Sequence, residues 1–255
     1  MTESASAASE TGMSTGLGQL LAGETAVVTG AAMGNGAAIA RGLALSGARV
    51  AAADRDTEAL AATVESLRRE GCDVHPFTLD VTDGAGCRAL ATEVEAALGP
   101  ASVLINNAGI LAAGAFEDMP LSVHRRQIDI NFNGVIYGTL AAFPYLKDTA
   151  GAQVVNLCSA SAIYGQPELV TYGATKFAVR GITEALDLEW SKYDISVKAM
   201  WPLFVQTAMT EGVSTGTTSS LGIKLTVKDV SDAIFDATRP VKRRLHKVHF
   251  PVGLP

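Results

Sequence analysis

With 255 residues, 48% of them hydrophobic, and a net charge of −6, the chain has the size and core of a large α/β domain. It lacks the positive charge expected if nucleic acid were its main partner. Its three cysteines (Cys72, Cys87, Cys158) and four scattered histidines show no metal-ligand spacing, so no metal site is expected. An odd cysteine count without an export signal fits a cytoplasmic location.

Residues 1–18 are rich in Ser, Thr, Ala and Gly, with no basic start and no apolar run. They read as a disordered tail rather than a signal peptide, and 19–255 reads as a single domain. Residues 24–29 form a short buried strand that runs into Gly30-Ala31-Ala32-Met33-Gly34-Asn35-Gly36 and then a helix over 34–47. In that context the glycines let backbone approach a pyrophosphate, and the helix start offers free N–H groups. The next strand, 48–54, ends at Asp54, an acid placed to accept hydrogen bonds from an adenosine ribose. The competing reading is an ordinary strand–helix turn with a helix-capping Asp.

Further strands are expected at 73–79, 101–106, 152–158, 194–200 and 246–250, and helices at 56–70, 83–98, 122–148, 171–192 and 227–238. Alternation of this kind predicts a parallel sheet with helices on both faces. The charge-free stretch 130–146 contains Asn131, Asn133 and Pro144. It falls short of the ~20 apolar residues of a membrane span and reads as a buried helix. Residues 211–222 are small, polar and glycine-rich. They read either as a flexible lid, within a substrate loop near 203–226, or as a disordered surface loop. The basic run 242–247 reads as a solvated segment before the last strand.

Tyr172 and Lys176 stand four apart in a stretch with helical apolar spacing (Phe177, Val179, Ile182, Leu186), so they share one helix face. A free tyrosine titrates near pH ~10, and a neighbouring cation favours its phenolate. The spacing therefore suggests an acid–base group tuned toward working pH. A surface pair is the competing reading.

Thr29-Gly30-x-x-x-Gly34-x-Gly36, Asn106-Asn107-Ala108-Gly109, Ser159 and Tyr172-x-x-x-Lys176 follow in one order and spacing. In these the chain resembles the compact single-domain branch of the short-chain dehydrogenase/reductase family, over about residues 20–251. The resemblance implies a Rossmann-like doubly wound parallel sheet of seven strands in the order 3-2-1-4-5-6-7. Tyr172 would be the general acid or base. Lys176 would lower its pKa and hold the nicotinamide ribose. Ser159 would hydrogen-bond the substrate oxygen, with Ser161 as a rival at the wrong spacing. Asn131 would interrupt its helix and hold a water in a proton relay.

Cofactor contacts are implied for Gly30, Met33, Gly34, Asn35 and Gly36 at the glycine turn, and for Asp54 and Arg55 at the adenosine ribose. Asp80 and Val81 would lie at the adenine. Asn107, Ala108 and Gly109 would pack on the adenosine ribose, and Pro202, Val205 and Thr207 would hold the carboxamide. Ile163, Tyr164, Leu169, Phe204 and Met209 would line the substrate site, which suggests a small apolar alcohol or ketone. The chain departs from the family pattern at Asn35, where Ile or Leu is frequent, and at Leu203, where Gly is. The implied activity is an NAD-dependent oxidoreductase interconverting a secondary alcohol and a ketone. An NADP-dependent carbonyl reductase and a silent dinucleotide-binding protein are the alternatives. NAD is favoured over NADP because the Asp54 carboxylate repels a ribose phosphate; Arg55 either stacks on the adenine or faces solvent, the favoured reading, or reaches the phosphate and softens the preference. A homotetramer or homodimer through the helices at 122–148 and 171–192 is also implied.

Overall fold

The computed structural model describes residues 20–213, 215–238 and 249–252. Seven strands make one parallel sheet: β1 (Thr25–Thr29), β2 (Arg49–Asp54), β3 (Val74–Thr78), β4 (Val103–Asn106), β5 (Gln153–Leu157), β6 (Ser196–Pro202) and β7 (His249–Val252). Their spatial order is β3-β2-β1-β4-β5-β6-β7, as the family resemblance implies. The helices are α1 (Gly34–Leu45), α2 (Thr57–Arg69), α3 (Gly84–Leu98), α4 (Leu121–Ile128), α5 (Gly134–Leu146), α6 (Val170–Trp190), α7 (Gly216–Leu221) and α8 (Val227–Thr238).

Period-two side-chain alternation divides the core into two layers. Ala26 and Val28 of β1 join Val50, Val103 and Ile105 in packing against Ile39, Leu43, Leu60 and Ile234 of α1, α2 and α8. Val27 joins Ala51, Leu104 and Val154 on the opposite face, against Leu90, Val94 and Leu146 of α3 and α5. Both faces are covered, so the strands read as nearly continuous apolar runs. Burying a side chain such as Leu43 or Ile105 contributes roughly 1.5–3 kcal/mol. Asp56 and Asp83 start α2 and α3 by accepting from the N–H groups of Ala59 and Ala85. Pro76, which lacks a donor, is tolerated because β3 is an edge strand.

The chain leaves β3 and crosses to β4, on the far side of β1. Connections from β1 and β4 therefore run to opposite faces, and a cleft opens beyond their C-terminal ends. Beneath it the Asn106 amide donates to Thr139 Oγ1 (3.0 Å) and Asn156 Oδ1 (2.8 Å). The Asn156 amide donates in turn to Thr183 Oγ1 (2.9 Å). This buried network ties β4, β5, α5 and α6 into one floor.

Four expectations are corrected. The single helix at 122–148 is α4 and α5 joined by a π-helical turn at Asp129–Asn133. The stretch 130–146 is not buried all round, since Leu140 is 64% exposed on α5. The glycine-rich segment 211–222 is not structureless: Thr215 and Thr218 form a capping box that starts α7. The last strand runs to Val252, while 246–248, with the rest of the basic run 242–247 and the tail 1–18, lies outside the described residues. Among the described residues no helix is long and apolar enough to cross a membrane.

Candidate active site

A cavity of about 620 Å³ occupies the cleft at the C-terminal ends of the central strands. The β1–α1 turn forms one wall. Gly30 has φ +67, and a Cβ there would stand 2.8 Å from Ala108 Cα. A Cβ at Gly36 would stand 1.9 Å from the Gly30 carbonyl oxygen. Thr29 Oγ1 accepts from the N–H groups of Asn107 and Ala108, both at 3.1 Å. The Asn107 amide donates back to the carbonyls of Thr29 (2.8 Å) and Gly30 (3.0 Å). Asn107 thus clamps the turn with its amide nitrogen. No side chain caps the start of α1, so its first N–H groups stand free behind a wall of glycine.

The other end of the cavity is acidic. Asp54 accepts from the N–H groups of Ala32 (3.0 Å) and Asp56 (3.1 Å), which fixes its carboxylate at the end of β2. Asp80 turns back onto Thr82, accepting from its N–H and hydroxyl, and these bonds hold its carboxyl below the usual range. Free helix N–H groups, glycines that admit backbone contact, and an acid at the end of β2 suit an adenine dinucleotide.

All the expected cofactor positions line the cavity: Gly30, Met33, Gly34, Asn35, Gly36, Asp54, Arg55, Asp80, Val81, Asn107, Ala108, Gly109, Tyr172, Lys176, Pro202, Val205 and Thr207. Ser159, Phe204 and Met209 line it too, as does Leu203. Asn35 Oδ1 is buried without a hydrogen-bond partner.

Ser159, Tyr172 and Lys176 converge on the wall built by β5 and α6. Ser159 Oγ accepts from Ser161 N (3.1 Å), capping a short turn at Ala160–Ala162, and donates to Ser161 Oγ (3.2 Å). Cap and site residue are therefore the same serine. Lys176 Nζ donates to the Leu157 carbonyl (2.7 Å) and lies 5.6 Å from the Tyr172 ring centroid.

The expected tuning of the phenol is corrected. Burial pushes Tyr172 up to about 12, the polar Ser159 side chain pulls it partway back, and Cys158 raises it further. Lys176 is held below its ordinary value by burial, with Cys158 opposing. Desolvation outweighs attraction here because the ammonium is directed at the Leu157 carbonyl rather than at the phenol oxygen.

Four expected site residues do not line the cavity. Asn131 is 1% exposed. Its Oδ1 accepts from Ile110 N (2.8 Å), and its Nδ2 donates to Ile110 O (2.8 Å) and Thr175 Oγ1 (3.3 Å). The π-helical turn aims it at the loop after β4, a common use of such turns beside functional sites. Leu169 is fully buried at the start of α6, part of the interior rather than the pocket. Ile163 and Tyr164 are 41% and 51% exposed, because the turn after Ser159 carries them outward.

Two polar residues were missed. Gln166 is buried and lines the cavity, accepting the Ser161 hydroxyl at Oε1 (2.8 Å). No sequence signal marks it beyond its place before Pro167, upstream of Tyr172. Glu168 has φ +64, uncommon for a side-chain-bearing residue. Its carbonyl accepts from Gly114 N (2.9 Å) and its carboxylate from Gly216 N (3.2 Å), joining the loop after β4 to α7. The segment after β6 is pinned where Gln206 N donates to Leu225 O (2.8 Å).

Residues 24–218 match the short chain dehydrogenase family. The trans-4-hydroxycyclohexanecarboxylate dehydrogenase of Sinomonas cyclohexanicum is 34% identical over 221 residues, covering 84% of this chain and 85% of that protein. A short chain dehydrogenase/reductase from Burkholderia phymatum, solved in complex with NAD, superposes with a TM-score of 0.80 at 28% identity, over 91% of this chain and 89% of the other. A gluconate 5-dehydrogenase from Burkholderia cenocepacia J2315, solved with NADP and tartrate, gives a TM-score of 0.79 at 27% identity, over 85% of this chain and 89% of the other.

Proposed function

This chain belongs to the short-chain dehydrogenase/reductase family, enzymes acting on CH–OH donors, and from that premise we propose an NAD-preferring enzyme that interconverts a secondary alcohol and a ketone. The observation that carries this reading is the meeting of Ser159, Tyr172 and Lys176 at one end of a cleft whose other end suits a dinucleotide. A nicotinamide cofactor, when bound, supplies or accepts the hydride. The chain's own residues handle the oxygen and its proton. The Ser159 hydroxyl donates to the substrate oxygen and orients it. Tyr172 Oη gives that oxygen its proton in reduction and removes it in oxidation.

With its phenol pushed up to about 12, Tyr172 is protonated at neutral pH, the form that reduction needs. Oxidation needs the Lys176 ammonium turned from Leu157 toward the phenol. Asn131 acts one layer back, holding the Ile110 loop against α6. Segment 203–226 serves as the substrate cover, with Phe204 and Met209 on its inner side. The carboxylate of Asp54, which lines the cavity at the end of β2, supports the choice of NAD, because a ribose phosphate bound beside it would add like charge.

Tyr172→Phe keeps the ring and removes the proton donor. The expected outcome is a rate about 10²–10⁴ lower, with dinucleotide affinity retained. Near-normal turnover of an alcohol panel in this variant would overturn the mechanism. We also propose a homodimer or homotetramer, since α6 presents Phe177 (40% exposed) and Leu188 (75%), and α5 presents Leu140 (64%), to solvent. A monomer mass by light scattering at micromolar concentration would refute it.

A further inference from the structure

Resting on that reading, we propose that Gln166 recognises a second oxygen on the substrate. The preferred substrates are then carbinols or ketones bearing a hydroxyl or oxo group on a nearby carbon, rather than simple apolar alcohols. The residue is 6% exposed and lines the active-site cavity beside Ser159, Ser161 and Tyr172.

Its amide is held at one end only. Oε1 accepts the Ser161 hydroxyl at 2.8 Å, and among the described residues Nε2 donates to nothing. Nor is that nitrogen sealed from solvent, as Asn35 Oδ1 is. The backbone supports the pose: Leu169 N donates to the Gln166 carbonyl (3.3 Å), and the following Pro167 restricts the chain at Gln166.

Ser159, Ser161 and Gln166 thus form a polar row along one wall, linked by bonds of 3.2 and 2.8 Å. The first member meets the reacting oxygen. The last stands two hydrogen bonds away, about where a vicinal or next-neighbour oxygen of the same substrate falls. A hydroxyl, which both donates and accepts, satisfies the amide whichever way its two ends are turned. Phe204 and Met209 also line the cavity, and their side chains offer Nε2 no oxygen. A purely apolar alcohol seated here strips water from Nε2 without replacing its hydrogen bond, and that loss is the source of discrimination. The sequence-based expectation of an apolar substrate rested on Ile163, Tyr164, Leu169, Phe204 and Met209, and did not include Gln166.

The test compares matched pairs, cyclohexanol with trans-1,2-cyclohexanediol and 2-pentanol with 2,3-pentanediol, using NAD and NADP. The wild type is expected to favour the diol in kcat/KM by roughly tenfold to hundredfold. Gln166→Leu is expected to collapse that ratio to near one, chiefly through the diol's KM. Ser161→Ala, which removes the strut but keeps the amide, is expected to leave the diol preferred. Three results overturn the proposal: no preference in the wild type, a preference that survives Gln166→Leu, or equal losses for both members of each pair in Gln166→Leu. If neither member of any pair is turned over with either cofactor, the oxidoreductase reading itself fails. Calorimetric binding of the same pairs to the cofactor-loaded wild type and Gln166→Leu proteins then decides Gln166 separately, and equal affinities overturn it.

Discussion

Gly36→Ala is the substitution that the cofactor wall is least able to absorb. The new Cβ would stand 1.9 Å from the Gly30 carbonyl oxygen and 2.6 Å from Asn107 Nδ2, where ordinary contact begins at 3.4 Å. Neither neighbour is a loose side-chain end. The carbonyl closes β1, and the Asn107 amide holds the carbonyls of Thr29 and Gly30. Relief requires the Gly30 carbonyl and the Asn107 amide to be pushed apart from each other and from α1 by more than an ångström. That breaks both Asn107 bonds, at about 0.5–1.5 kcal/mol each. Overpacking adds about 1–3 kcal/mol, and the better helix propensity of Ala returns at most about 1. The net loss is about 1–6 kcal/mol, a large share of a typical stability of about 5–15. Guanidinium unfolding followed by tryptophan fluorescence measures it, and calorimetry with the dinucleotide measures the accompanying fall in affinity, expected to be tenfold or more. Gly165→Ala is the control: nothing lies within 4 Å of its Cβ position and its φ is outside the left-handed region, so stability should hold. A Gly36→Ala protein within about 0.5 kcal/mol of wild type, with unchanged dinucleotide affinity, would refute the steric argument.

Asp54→Ala is expected to abolish a preference for NAD of roughly tenfold to hundredfold in kcat/KM. A ratio unchanged by the substitution would move the cause elsewhere, with Arg55, Arg125 and Arg126, which line a neighbouring cavity, the first residues to examine. The raised pKa of Tyr172 predicts an alkaline stability loss. Folded, the phenol titrates at about 12; unfolded, at ~10. The folded state therefore keeps its proton longer, and the contribution, about 3 kcal/mol, is complete below pH ~10 and lost as pH climbs through 12. Lys176, with its pKa lowered, has the opposite slope below pH ~10.5, so the difference between wild type and Tyr172→Phe isolates the phenol. Identical alkaline unfolding profiles for the two proteins would refute the shift.

The sequence by itself determined what short-range chemistry dictates. Apolar runs of strand length alternating with helical spacing specify a parallel sheet covered on both faces, because each such run must be buried on two sides. The glycines at 30, 34 and 36, Asp54, and the Tyr172–Lys176 spacing carry their meaning locally, and the cleft gathers all of them. What needed the tertiary structure were orientation, exposure and electrostatic balance. Whether Asn131 faces the pocket or the Ile110 loop depends on a π-helical turn that no residue type announces. Ile163, Tyr164 and Leu169 are as apolar as Phe204 and Met209, and only the path of the chain after Ser159 separates those outside the pocket from those lining it. The sign of the Tyr172 shift follows from the depth of the phenol and the direction of the Lys176 ammonium, neither of which spacing contains. Gln166 has no motif at all. Its position in the site comes from one hydrogen bond to Ser161 and from the fold that leaves its other end facing the cavity, since a polar side chain takes its role from whatever partner the packing leaves within reach.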